Sequence, residues 1–309
     1  MRNTHYLFKC FLGASIVIFS GCSNVDLSNG GKIYINDADH IIQHDLSNYN
    51  IKVNTVYTAP NKNSIVYLDV LRNQNVICFT AEDLLESKVR PCLILLKENR
   101  QDTIISPQTY KISYPSFSPD GNKIAFLFCG GVKPKVMFKG YYDAACAIYD
   151  IQKRSYETIT DTILASGKPS WSQDGCCLYV STFEGKMVRM DLNGSVLDTI
   201  GDGYYPTLSP DGKKLAYTHG RSIFVMDLDS KRKKRIASKG SFYIPQEPQY
   251  LDLTWSPDSK YILYQGQYIL AYITGWSSQY VVVSAEGKGL PRQIDNETAR
   301  GFGAAWVTQ

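Results

Sequence analysis

The chain has 309 residues, 44% hydrophobic, 12% aromatic and 20% charged, with a formal net charge of +4. That is enough apolar material for a large core, and length alone would allow two domains. Without the first 21 residues, 31 basic side chains face 29 acidic ones, a balance that implies neither nucleic acid nor a polyanion as partner.

The N-terminus carries Arg2 and Lys9, then the apolar run Phe11-Leu-Gly-Ala-Ser-Ile-Val-Ile-Phe-Ser-Gly21. Such a run is too short to span a bilayer comfortably and reads as a secretory leader. It ends in Phe19-Ser-Gly-Cys22, which resembles a bacterial lipobox with Phe in place of the usual Leu. The resemblance implies that 1–21 is a signal peptide and that Cys22 becomes the lipidated first residue, holding the protein in the bacterial cell envelope. No Asp follows Cys22, which favours the outer membrane, facing the periplasm or the surface. Residues 22–30 are polar and read as a flexible tether. A single domain is expected over 31–309.

That domain opens on two strand patterns, Gly31-Lys-Ile-Tyr-Ile-Asn36 and His40-Ile-Ile-Gln-His-Asp-Leu46. Next, Ala59-Pro-Asn-Lys-Asn-Ser-Ile-Val-Tyr67 aligns without gaps on Ser118-Pro-Asp-Gly-Asn-Lys-Ile-Ala-Phe126, so a second strand is expected from Ser64. Four clear repeats follow: Tyr114-Pro-Ser-Phe-Ser-Pro-Asp-Gly121, Lys168-Pro-Ser-Trp-Ser-Gln-Asp-Gly175, Tyr205-Pro-Thr-Leu-Ser-Pro-Asp-Gly212 and Asp252-Leu-Thr-Trp-Ser-Pro-Asp-Ser259. Each leads into a short apolar strand, and a period of about 40 to 50 residues marks a radial or stacked repeat fold. Pro, Asp and Gly are turn residues for distinct backbone reasons, so Asp120, Asp174, Asp211 and Asp258 read as turn formers rather than a catalytic or metal row. Pro115, Pro169 and Pro206 lack an N–H and suit an edge strand. The innermost strand of a propeller blade is such an edge. Phe117, Trp171, Leu208 and Trp255 are expected between blades, with Ser116, Ser170, Thr207 and Thr254 as small opposite faces.

Gly303-Ala-Ala-Trp-Val-Thr-Gln309 supplies the first strand of a further unit, whose later strands lie at the other end of the chain. Joining both termini in one blade gives an all-β, six-bladed propeller with no open edge between blades. The Ser-Pro-Asp-Gly units, with their apolar strands and the later Met-Asp-Leu or Tyr-Asp-Ile strand, resemble the repeats of TolB-like six-bladed β-propellers. The resemblance covers about Gly31 to Gln309. Propellers of this kind serve as periplasmic binding scaffolds, as gating domains of prolyl-oligopeptidase-like peptidases and as some polysaccharide-lyase or cyclase folds, so the resemblance implies the fold and no particular activity.

Strand alternation places first-to-second and third-to-fourth turns on one face, the turn face. Second-to-third and blade-to-blade loops share the other, the insertion face. The insertions expected there, 72–91, 130–145, 239–251 and 265–279, carry Phe138, Tyr141, Tyr142, Phe242, Tyr243, Tyr250, Tyr268, Tyr272 and Trp276. Tyr and Trp combine area with a polar handle, which makes this the candidate binding surface for a protein or envelope glycan. The run Lys231-Arg-Lys-Lys-Arg235 is a hairpin on the turn face. Cys78 with Cys92, and Cys129 with Cys146, are candidate disulfides, each worth about 3 kcal/mol if geometry permits. Cys176-Cys177 is either a vicinal disulfide or a pair of free thiols.

No Gly-x-Ser-x-Gly elbow, P-loop or His-Glu-x-x-His occurs; His40 and His44 share a strand face by even spacing, but His44 falls in the packing slot of Met190 and Met226, and His219 is expected two blades away. No metal or cofactor is implied. The expected role is a lipid-anchored, non-catalytic binding or scaffold protein. The alternative is an envelope glycan-active enzyme of lyase or hydrolase type.

Overall fold

The computed structural model describes residues 27, 31–37, 39–46, 52–59, 64–71, 76–82, 92–98, 100–106, 111–129, 144–160, 164, 167–238, 252–269, 276–294 and 304–308. Every regular element among them is a strand. The expected leader, Cys22 and most of the expected tether lie outside the described residues.

The chain begins with three antiparallel strands, β1 (Lys32–Asp37), β2 (His40–Asp45) and β3 (Lys52–Thr58). Five complete blades follow. Blade 1 is β4 (Ser64–Leu71), β5 (Val76–Glu82), β6 (Cys92–Lys97) and β7 (Arg100–Ile105); blade 2 is β8 (Lys111–Phe117), β9 (Lys123–Cys129), β10 (Ala144–Asp150) and β11 (Ser155–Thr158). Blade 3 is β12 (Ser170–Trp171), β13 (Cys177–Ser181), β14 (Lys186–Asp191) and β15 (Val196–Asp202). Blade 4 is β16 (Tyr204–Leu208), β17 (Lys214–His219), β18 (Ser222–Asp227) and β19 (Lys233–Ser238). Blade 5 is β20 (Leu253–Trp255), β21 (Tyr261–Ile269), β22 (Trp276–Ser284) and β23 (Arg292–Gln293). The last strand, β24 (Ala304–Val307), pairs with β1 to give the order β24-β1-β2-β3, and so blade 6 is built from both termini.

The turns form as their chemistry dictates. Ser118 Oγ donates to Asp120 Oδ1 at 2.6 Å, Asn122 N donates to the same oxygen, and Lys123 N closes back onto Ser118 Oγ at 2.9 Å. Around Asp174, Asp211 and Asp258 the same bonds recur. These carboxylates are turn formers. Before two inner-strand prolines the backbone bulges: Tyr114 and Tyr205 sit at φ 53° and 56°, where the ladder register shifts. Bulges of this kind re-aim an edge strand.

Each interface between blades holds one apolar cluster. Trp171 packs between blades 2 and 3 against Leu127, Cys146, Leu178 and Met190. Phe117, Leu208 and Trp255 hold the same place at their interfaces, Trp306 closes blades 5 and 6, and Val70 takes the slot between blades 6 and 1. Gly31 stands at φ 75° where the chain enters the ring, and a Cβ there would collide with the carbonyl oxygen of Val307. Leu27, inside the expected tether, is only 4% exposed and belongs to the cluster of Ile33, Leu46 and Trp306.

Several expectations are corrected. Ser64–Leu71 is the innermost strand of blade 1, not a second strand. The true match to Tyr114-Pro-Ser-Phe117 is Tyr67-Leu-Asp-Val70. The expected 72–91 insertion therefore contains β5, and the 265–279 insertion contains the far ends of β21 and β22, paired out to Ile269↔Trp276. Cys78 and Cys92 do not bridge: Cys78 opposes Leu95 and Cys92 opposes Ala81. That separates them by three ladder steps, about 10 Å, on opposite sheet faces. Cys146 is a free, buried thiol opposite Leu127, while Cys129 opposes Ala144. Cys176 and Cys177 are free as well.

Candidate binding site

The six inner strands converge on a central funnel of about 500 Å³. Its mouth, on the turn face, is ringed by Ser118, Pro119, Gln173, Ser209 and Pro210. At its floor Lys168 Nζ reaches across from blade 3 to Asp69 Oδ1 of blade 1 at 2.7 Å. The other Asp69 oxygen accepts Phe117 N at 2.8 Å. Both side chains are largely buried, 19% and 15% exposed. Burial opposes the Lys168 ammonium, but the carboxylates of Asp69 and Asp252 outweigh it and hold its pKa above the ordinary lysine range. Burial pushes the Asp252 carboxyl up, against the pull of Lys168 and of the Ala304 N–H that it accepts at 2.7 Å. Two carboxylates thus share one cation. Beside them the rings of Tyr67 and Tyr114 lie 4.0 Å apart, at the same repeat position as Lys168.

The funnel hydroxyls are stitches between blades. Leu208 N donates to Ser170 Oγ at 2.9 Å and Thr207 Oγ1 donates to the Leu253 carbonyl at 3.3 Å. Trp171 Nε1 and Trp255 Nε1 donate to the carbonyls of Ser116 and Thr207. Ser170 and Thr207 therefore do more than offer small faces. Sequence reasoning missed the charged floor. Lys168 and Asp252 are visible as charges in a repeat column otherwise held by Tyr or Gly, but Asp69 was hidden by the shifted register of blade 1.

The remaining titratable groups do not assemble. His44 is buried opposite Ile33, as Met226 is opposite Leu215, and burial lowers its pKa. His40 bonds Thr58 at 3.0 Å, and His219 lies exposed at the end of β17. Hydrogen bonds from Ser118 and the Asn122 N–H hold Asp120 below the usual carboxylate range, and Ser172 with the Cys176 N–H does so for Asp174. Among the described residues no three His, Cys, Asp or Glu side chains gather as a metal site would require.

On the opposite face, the strand ends flanking 83–91, 130–143, 239–251 and 270–275 all emerge together. Tyr268 stands on β21 opposite Ser277, and Trp276 on β22 opposite Ile269. The pairs from Gln265↔Tyr280 to Ile269↔Trp276 extend beyond the partners β20 and β23, as a two-stranded ribbon. Phe138, Tyr141, Tyr142, Phe242, Tyr243, Tyr250 and Tyr272 lie outside the described residues. Lys231–Arg235 is exposed at the β18–β19 hairpin on the turn face.

No family model and no curated protein matches the chain. Among solved structures, TolB from Acinetobacter baumannii is similar with a TM-score of 0.69 at 18% identity, over 91% of this chain and 68% of that one. A putative TolB from Agrobacterium tumefaciens gives 0.60 at 13%, over 88% and 92%. An oligogalacturonate lyase in complex with manganese gives 0.54 at 13%, over 82% and 73%. At such identities likeness carries the fold and leaves activity open. With its ring closed by strands from both termini, the chain has the fold of a six-bladed β-propeller, similar to that of the TolB structures.

Proposed function

We propose that this chain is a non-catalytic binding protein of the bacterial cell envelope, lipid-anchored through Cys22, that recognises a partner protein with its insertion face. The observation that carries the reading is topological. The strand ends that frame the three aromatic-bearing stretches, 130–143, 239–251 and 270–275, all emerge on one face, opposite the side where the chain enters β1. The funnel groups, by contrast, are engaged with one another: Asp69 with Lys168 and the Phe117 N–H, Asp252 with the Ala304 N–H. They hold the blades in register.

Capture from envelope extracts tests this. Replacing Tyr141, Tyr142 and Trp276 together by Ala should cut partner recovery at least about tenfold, the scale of losing one hot-spot side chain, with the melting temperature unchanged. Undiminished capture would remove the insertion face from consideration. For the anchor, fatty-acid labelling should vanish in a Cys22→Ser chain, and persistent labelling would exclude it. The second reading, an envelope glycan-active enzyme, has the lyase-like fold beside it. Depolymerisation of oligogalacturonate by the purified protein would put it first.

A further inference from the structure

Exposed apolar side chains and positive charge gather on the same face of the disc. Among the described residues, the large hydrophobics left in solvent include Val53, Val196, Leu197 and Leu290, between 47% and 57% exposed. All four sit at the turn-face end of an outermost strand or in the loop leading to one. Val53 is the second residue of β3, Val196 and Leu197 open β15, and Leu290 precedes β23. They are spread over blades 3, 5 and 6, a rim rather than one patch. Tyr156, the fifth, instead lays its ring against Phe126 and Phe128.

Charge on that face is lopsided. The turn-face segments of blades 4 and 5 (209–214, 227–234, 256–260 and 284–292) carry nine basic side chains against five carboxylates. The corresponding segments of blades 2 and 3 (118–123, 150–155, 172–177 and 191–195) carry three against four. Lys231, Arg232, Lys233 and Lys234 are exposed, and Lys214 ties the two basic blades together through Glu286 at 3.1 Å. The chain also enters on this side, through Gly31 into β1, with Leu27 buried between blades 5 and 6 next to the basic sector. Cys22 lies five positions before Leu27, a reach of at most about 17 Å.

We infer that the turn face docks on an anionic lipid bilayer, with the basic sector of blades 4 and 5 on the head groups and the apolar rim in the interface. Basic residues near such a surface contribute roughly 1 kcal/mol each, and partly inserted apolar side chains add to that. The arrangement goes beyond the anchor, because it gives the folded domain its own affinity and one orientation. The insertion face then points away from the membrane.

The test uses the mature chain with Cys22→Ser, free of lipid, sedimented with vesicles of phosphatidylglycerol and phosphatidylethanolamine and, separately, of phosphatidylcholine alone. Binding is expected only to the anionic vesicles and should fall at high salt. Reversing Lys231, Lys233 and Lys234 to Glu should weaken it at least about 100-fold, the product of three contacts of that size. Val196→Ser with Leu197→Ser should also weaken it, whereas Tyr142→Ala should not. Equal binding to both vesicle types, or a charge-reversed chain that melts normally and binds as before, overturns the inference. Failure here leaves partner capture by the insertion face intact, and failure of that capture leaves vesicle binding intact.

Discussion

Removing 303–309 is expected to unfold the protein rather than trim it. These residues supply β24, whose four strand residues are all buried and pair with Lys32 to Ile35 of β1. Trp306 is the large side chain of the last interface, packed with Ile33, Leu263 and Val282. A buried Trp→Ala change costs about 3–5 kcal/mol, against a typical total stability of about 5–15 kcal/mol. The deletion adds to this the ladder bonds, the Ala304 N–H on Asp252 and an opened sheet edge. A truncated chain should therefore lose its cooperative transition in urea or heat, while Trp306→Ala in the full chain should fold with a lowered midpoint. A truncated protein melting within a couple of degrees of the intact one would contradict ring closure.

The second large effect is expected at the funnel floor. Lys168→Ala leaves Asp69 and Asp252 facing each other without their shared cation, and breaking a buried pair on one side costs about 3–5 kcal/mol. Lys168→Met combined with Asp69→Asn should recover much of that, because an amide oxygen can still accept the Phe117 N–H and one of the two stranded carboxylates is gone. The pH dependence has a definite sign. Asp252 already has a raised pKa in the folded state, so its contribution is full at low pH and is lost as pH rises through that value. Without Lys168 the rise grows. The deficit of Lys168→Ala should therefore be largest near neutrality and shrink toward about pH 4, the ordinary Asp range. Urea melts at both pH values check this, and a deficit constant with pH would mean that Lys168 acts by packing alone.

The parts legible in the sequence are those governed by local chemistry. Ser-Pro-Asp-Gly turns, the prolines on inner edges and the aromatic wedges place blades 2 to 5, and the half-blades at either terminus force a closed ring of six. Blade 1 was displaced because β4 has no Pro and 72–75 has no Ser-Pro-Asp-Gly, so a gapless but accidental match at Ala59 took its place. The Cys78–Cys92 pairing failed on ladder parity. Cys78 and Cys92 flank one hairpin but point to opposite faces. The charged floor depends on residues 99 apart in the chain meeting across the funnel, a contact that no local pattern encodes. Leu27 shows the reverse case, since a polar-looking tether is pinned by its one leucine.

The division of labour between the two faces is tested most directly by photo-cross-linking in living cells. A photoreactive residue is placed either at Tyr142, in the stretch between β9 and β10, or at Pro210 on the funnel mouth. The expected result is a discrete protein adduct from position 142 and none from position 210. A protein adduct formed only from position 210 would put the partner in the funnel and contradict the assignment of the insertion face.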